Sequence, residues 1–172
     1  MIETEAEMHR VYFSFDYEHD LDRANKVRTV LGVIACSAAG FHNSDVWFTA
    51  NRQGDAAVQG LITDALNNTT VTVVCLGHMT AYRKFLTFEL KQSLERGNGV
   101  VGVKINHITN EARETEEEGY VPPLIKMAGY KVHKYKDQQQ LARWIEDAAD
   151  LATEQSQQSR QRQAVLPHEG DR

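Results

Sequence analysis

The chain has 172 residues, 41% hydrophobic and 25% charged, with a formal net charge of -5 at pH 7. That length and apolar share suit one domain with a real core. The acidic balance offers no basic patch to follow a phosphate backbone, which argues against nucleic-acid binding, and no apolar run approaches the roughly 20 residues a membrane helix needs.

The opening "MIETEAEMHR" is acidic and polar, unlike a signal peptide, so the expected location is the cytoplasm. Residues 1–9 read as an N-terminal extension. "HRVYFSFD" (9–16) alternates and is rich in aromatics and Val, which predicts a strand. "HDLDRANKVRTVLGV" predicts a helix capped by Asp20, with Leu21, Ala24, Val27, Val30 and Leu31 on one face. Residues 35–55 are small and polar around Phe41 and Trp47, and read as a loop with a short strand near Gly40 to His42. "DAAVQGLITDALNN" (55–68) is helical, ended by Asn67 and Asn68. "TTVTVVCLG" (69–77) is almost continuously apolar and predicts a central strand buried on both faces.

"TAYRKFLTFELKQSLERGNG" (80–99) predicts a helix with Thr80 as N-cap. "VVGVKI" (100–105) is a second buried strand. Residues 106–123 form a polar insertion whose Glu116, Glu117 and Glu118 read as solvated charge. "YKVHKY" (130–135) is a short edge strand, and 137–152 is an amphipathic helix with Leu141, Trp144, Ile145 and Ala148 inward. Residues 153–172 lack apolar content and read as frayed helix passing into a disordered tail. Cys36 and Cys75 both stand in apolar stretches and read as reduced core thiols. No metal-ligand spacing is visible, and His42, His78, His107 and His133 are scattered.

Helices alternating with buried strands predict an α/β fold with a parallel sheet covered on both faces. Ligands of such sheets bind beyond the carboxyl ends of the strands. The expected lining is therefore the turn Ser14 to Asp20, the loop at 41–48, and the segment after the strand ending at Leu76.

Ser14, Phe15 and Tyr17 offer a hydroxyl, a ring and a second hydroxyl to a ligand; the alternative is core packing followed by a charged turn. Asn43, Ser44 and Asp45 suit a ribose or a base; the alternative is an Asx-type turn anchored by Trp47. Glu89 has Phe85 four residues before it and Phe88 beside it. A partly desolvated acid there suits catalysis, while the same spacing also fits a surface charge. No GxGxxG, GxxxxGK[ST] or GxSxG occurs, which argues against a standard dinucleotide fingerprint, a P-loop or a nucleophile elbow.

"VYFSFDYEHDLDRANKVR", "GFHNSDVW", "LITDALNNTTVTVVCLG", "TAYRKFLTFELKQSLERGNGVVGVKI" and the late "VP" loop together resemble the TIR-like proteins of the Thoeris anti-phage system, Thoeris B type. The resemblance covers about residues 10 to 150, with residues 10–152 as the domain. It implies a flavodoxin-like, TIR-like three-layer sandwich with a mostly parallel five-stranded sheet. It also implies cleavage of NAD⁺ at the nicotinamide–ribose bond and a cyclic ADP-ribose isomer as product, with NAD⁺ as substrate and no resident cofactor or metal. That signal would activate a downstream effector protein after a phage trigger, and the active form would be a homo-oligomer. The TIR signature is an aromatic residue four before a glutamate on the helix after an apolar strand. Phe85 and Glu89 match it, with Phe replacing the commoner Trp, so Glu89 is the expected catalytic residue. Ser14, Phe15, Tyr17, Asn43, Asp45 and Phe85 are expected around the substrate from their places in the fold. Two rival readings stay open: a non-catalytic TIR-type module that acts by assembly, and an enzyme like the nucleoside deoxyribosyltransferases.

Overall fold

The computed structural model describes residues 8–30, 32–38 and 44–165. In chain order they form β1 (His9–Ser14), α1 (Leu21–Val27), β2 (Val33–Cys36), α2 (Asp45–Gln53), α3 (Asp55–Leu66) and β3 (Val71–Leu76). A single 3₁₀ turn (Thr80–Tyr82) follows, then α4 (Leu86–Glu95), β4 (Gly99–Lys104), α5 (Pro123–Met127), β5 (Val132–Lys134) and α6 (Gln138–Val165). The strands pair in parallel in the order β2-β1-β3-β4-β5. This is the flavodoxin-like doubly wound order.

Three layers result. α2 packs on α3, α3 on α4 and α4 on α5, which covers one face. α6 crosses β3 and β4 on the other, and its Gln138 Nε2 donates to Thr29 just beyond α1. β3 is buried at all six positions, as a run of apolar residues covered on both faces requires.

β1 is less uniform. Its side chains alternate between the two faces, so Tyr12 and Ser14 share one face and Val11 and Phe13 the other. Tyr12 is in register with Thr72 of β3, and Thr72 Oγ1 lies 2.7 Å from Ser93 Oγ of α4. A buried polar seam thus runs between the sheet and α4 within an otherwise apolar core.

Several expectations are corrected. α1 stops at Val27, and the backbone turns at Gly32 (φ 75°) into β2 where the helical pattern seemed to continue. Pairing explains the difference: Arg10 sits opposite Ile34, so β2 covers an edge of β1 that would otherwise be open. Leu31 and the expected strand near Gly40 to His42 lie outside the described residues. The expected loop at 35–55 contains the helix α2. α5, started by Pro123, lies just past the polar insertion. α6 runs to Val165, so the helix expected to fray after residue 152 continues that far, and the end of the expected tail lies outside the described residues. Gln155 accounts for part of this, since it reaches the Tyr130 hydroxyl and the Ala128 carbonyl. Cys75 is buried, but Cys36 is half-buried on the edge strand, where Arg10 Nη2 donates to its sulfur. No helix among the described residues is long and apolar enough to cross a membrane.

β4 and α6 meet closely at Gly99, where a Cβ would stand 2.2 Å from the Ala148 carbonyl oxygen. Neither backbone can yield without shifting the layer. Gly99→Ala is expected to cost about 2 kcal/mol by overpacking. The melting temperature should then drop by roughly 4–8 °C, read by circular dichroism.

Candidate functional site

β1 leads toward β2 on one side and β3 toward β4 on the other. Their shared carboxyl end is therefore the topological switch point, where open α/β sheets hold ligands. A cleft of about 340 Å³ lies there, lined by Tyr17, His19, Trp47, Tyr82, Arg83 and Phe85 among others.

Beneath the cleft floor sits Glu89, with no exposed surface. Helix phase puts it there: α4 buries Leu86, Glu89, Leu90 and Ser93 on one stripe. A buried carboxylate needs donors. The Tyr12 hydroxyl donates to Oε1 at 2.8 Å, and the Ser14 hydroxyl donates to Oε2. Arg83 Nη2 donates to both oxygens at 3.0 Å, while its Nη1 donates to Ser14 Oγ at 2.8 Å. Burial, followed by the charge of Glu89, raises the Tyr12 hydroxyl well above its ordinary range, so Tyr12 stays a donor. For Arg83, burial works to lower the value, but Glu89 and Tyr12 outweigh it and the net shift is upward.

Aromatic rings form the cleft wall. Tyr17 stacks on Trp47 with centroids 4.7 Å apart, and Phe15 tilts against Tyr17 at 4.4 Å. Trp47 meets Phe85 edge-on at 6.1 Å. Phe85 is also the N-cap residue of α4, and its carbonyl accepts the Glu89 N–H. Lys84 Nζ stands 5.4 Å from the Phe85 ring centre and pairs with exposed Asp55 at 2.6 Å.

Two clusters frame the cleft. Ligand atoms of Asp16, Glu18 and His19 lie within 4.8 Å of one another. Asp16 Oδ1 already accepts the N–H groups of Glu18 and His19, and Oδ2 meets His19 Nδ1, so the group is a closed Asx turn. Deeper, Arg23 Nη1 donates to Asp20 Oδ1 at 3.1 Å, while its other nitrogens reach the carbonyls of Ile108 and Glu114. Asp20 fills the space over Gly77, where a Cβ would lie 2.0 Å from Oδ2. Thr80 completes the β3 exit, accepting the Gly77 N–H at 2.8 Å and donating to the Cys75 carbonyl. Its hydroxyl is committed there, so it does not cap a helix from residue 80, and α4 begins only at Leu86.

Of the residues expected around a ligand, Glu89 and Ser14 are in direct contact, and Tyr17 and Phe85 line the cleft with Phe15 packed behind Tyr17. Asp45 lines the shallow groove between α2 and α3 with Thr49, Gln53 and Leu61, away from the cleft. The helix explains this: Trp47, Phe48 and Asn51 form the stripe facing the cleft, and Asp45 and Thr49 form another. Asn43 lies outside the described residues. Sequence reasoning missed Tyr12, Trp47 and Arg83 as site residues. Strand alternation places Tyr12 with Ser14, and helical phase in 45–53 would have marked Trp47; no local signal marks Arg83.

Comparison with known proteins gives the family. The family described as Thoeris protein ThsB, TIR-like domain, matches residues 12–110, a span that includes Tyr12, Ser14, Arg83 and Glu89. A Bacillus cereus (strain MSX-D12) protein named "Putative cyclic ADP-D-ribose synthase ThsB1" is 34% identical over 149 residues, covering 83% of this chain and 77% of that protein.

Asp20 gives the cleft frame a pH signature. Burial, then repulsion from Glu116, raises its carboxyl from 3.8 to about 6 against the pull of Arg23. Between those values the folded protein keeps a proton that the unfolded chain has lost, so this group's contribution to stability falls as pH rises. Asp20→Asn removes that slope. In urea titrations, the stability of the variant minus that of the wild type should grow by on the order of 2 kcal/mol from about pH 4 to about pH 6.5. A constant difference would contradict this assignment.

Proposed function

Because this chain belongs to the Thoeris ThsB family of TIR-like proteins, we propose that it cleaves NAD⁺ at the nicotinamide–ribose bond and closes the remaining ADP-ribose into a cyclic signal. The observation that carries this reading is Glu89: one buried carboxylate directly beneath an aromatic-walled cleft, behind Arg83 of its lining and backed by the Tyr12 and Ser14 hydroxyls.

The chemistry needs little more. When the C1′–N bond breaks, its electron pair goes to the pyridinium nitrogen and nicotinamide leaves neutral, so no general acid is required. Positive charge develops on the ribose ring. A fixed carboxylate in a water-poor site stabilises that charge and accepts hydrogen bonds from the ribose hydroxyls. Tyr12 and Ser14 keep the carboxylate from rotating. The Tyr17–Trp47 pair and Phe85 offer a flat surface for the nicotinamide ring. A nucleophile within the folded ADP-ribose then attacks C1′ and releases a proton, provided water is excluded. NAD⁺ enters as substrate, and no resident cofactor takes part.

A cleft of 340 Å³ is at the small end for ligand sites. A dinucleotide folded for cyclisation needs further walls, which a second copy of the chain would add. In this reading the active form is an assembly, a phage-derived trigger promotes it, and the cyclic product acts on a partner effector.

The test is product identification by mass spectrometry, with purified protein given NAD⁺ in the presence of extract from infected or uninfected cells. Nicotinamide and a cyclised ADP-ribose should appear together. Glu89→Gln should lower their rate by about 100-fold or more, with an unchanged circular dichroism spectrum. Full turnover by Glu89→Gln would remove Glu89 from the mechanism. Protection from phage that survives Glu89→Gln, with no nicotinamide release in any state, would make the chain an assembly module instead.

A further inference from the structure

The contacts of Glu89 conflict with the work assigned to it. Oε1 accepts from Tyr12 and Arg83, and Oε2 accepts from Ser14 and Arg83. Glu89 is fully buried, so a ribose in the cleft has no open side of the carboxylate to reach. Among the described residues, Arg83 is the one donor to Glu89 that also lines the cleft. Its guanidinium stands between ligand space and the carboxylate.

The three donors are not equally fixed. Tyr12 and Ser14 belong to β1, which is paired on both edges. Arg83 belongs to the short extended segment (φ -66°, ψ 130°) between the 3₁₀ turn and α4, and its side chain is 9% exposed. It can leave without disturbing the sheet. An anion in the cleft would draw it away, because a guanidinium forms two parallel hydrogen bonds with a phosphate as readily as with a carboxylate. Lys84 beside it adds a second cation on the cleft wall. Asp16 and Glu18 line the cleft as well, which leaves the Arg83–Lys84 side as the place for a negative group.

We propose that Arg83 is a substrate-operated latch. In the free protein its guanidinium occupies the face of Glu89 that the ribose diol must take. The diphosphate of an incoming dinucleotide becomes its new partner and frees the carboxylate for the ribose. The inference rests on the Glu89–ribose reading above and adds a source of selectivity. A nicotinamide nucleoside carries the same ribose but no diphosphate, so it cannot exchange partners with Arg83. A dinucleotide opens the site as it binds.

Equilibrium binding tests the latch without any need for turnover. The probes are carbocyclic NAD⁺, which keeps the hydroxyls and diphosphate but resists cleavage, and the matching carbocyclic nicotinamide riboside. Calorimetric titrations compare the wild-type chain with Arg83→Gln and Arg83→Lys. The wild type should prefer the dinucleotide. In Arg83→Gln the riboside should bind about tenfold more tightly than in the wild type, because a latch that leaves roughly one molecule in ten competent taxes affinity by that factor. The dinucleotide should weaken in the same variant, so the two affinities converge. Arg83→Lys, which keeps the charge but not the fork, should fall between.

Unchanged riboside affinity in Arg83→Gln would overturn the latch, as would a failure of every protein to bind either probe. If Arg83→Gln does not fold, Arg83→Lys is decided by the same criterion. If neither folds, Arg83 is a structural partner of Glu89 and the latch is rejected. Turnover of Glu89→Gln judges the catalytic reading, while these affinities judge the latch, so the failure of one is seen apart from the failure of the other.

Discussion

A carboxylate with no exposed surface must be surrounded by donors, and much of this structure can be traced from that need at Glu89. Two hydroxyls reach it from one face of β1, which sets the facing of Tyr12 and Ser14 and with it the facing of the whole strand. A guanidinium reaches it from Arg83. In one continuous helix, residues six positions apart lie roughly 240° apart around the axis and cannot meet. The contact exists because the chain breaks between the 3₁₀ turn and α4, so Arg83 sits on extended backbone and folds back over the first turn.

That break depends on how β3 ends. Thr80 ties its hydroxyl to the Gly77 amide and the Cys75 carbonyl, which turns the chain sharply over the strand end. Asp20 presses on Gly77 where no side chain would fit, and Arg23 joins Asp20 to the loop carrying Ile108, Glu114 and Glu116. The first helix, the exit of the central strand and the polar insertion thus form one frame. Its charges are buried because they hold backbone in place, and one unpartnered oxygen, Asp20 Oδ2, is accepted as a cost of the close approach.

The parts of the fold visible in sequence are those with local causes. β3 shows as a β-branched apolar run, α3 as a helical stripe ended by two asparagines, and the first half of α6 as an amphipathic face. Less visible were elements whose identity is decided by their neighbours. Residues 33–36 straddle the end of a helical pattern at Val33 and the start of a stretch that reads as a loop, and only the open edge of β1 makes them a strand. Residues 45–53 are polar enough to read as a loop, yet they form the helix that supplies Trp47 to the cleft and turns Asp45 away from it.

The sequence alone determined that an α/β domain with a parallel sheet would form, that a site would lie at the strand ends, and that Glu89 spaced four residues from Phe85 was the acid to watch. The first two follow from periodicity, which acts over a few residues, and the third from the resemblance of the Phe85–Glu89 spacing to the TIR signature. The same periodicity also allowed Glu89 to be a surface charge. Tertiary structure decided that question, because only the packing of α4 on the sheet removes Glu89 from water and only the pairing of distant segments supplies its donors. Tyr12 and Glu89 lie 77 positions apart in sequence. A hydrogen bond between them leaves no trace in the pattern of either segment, and the same holds for the guanidinium that covers the carboxylate.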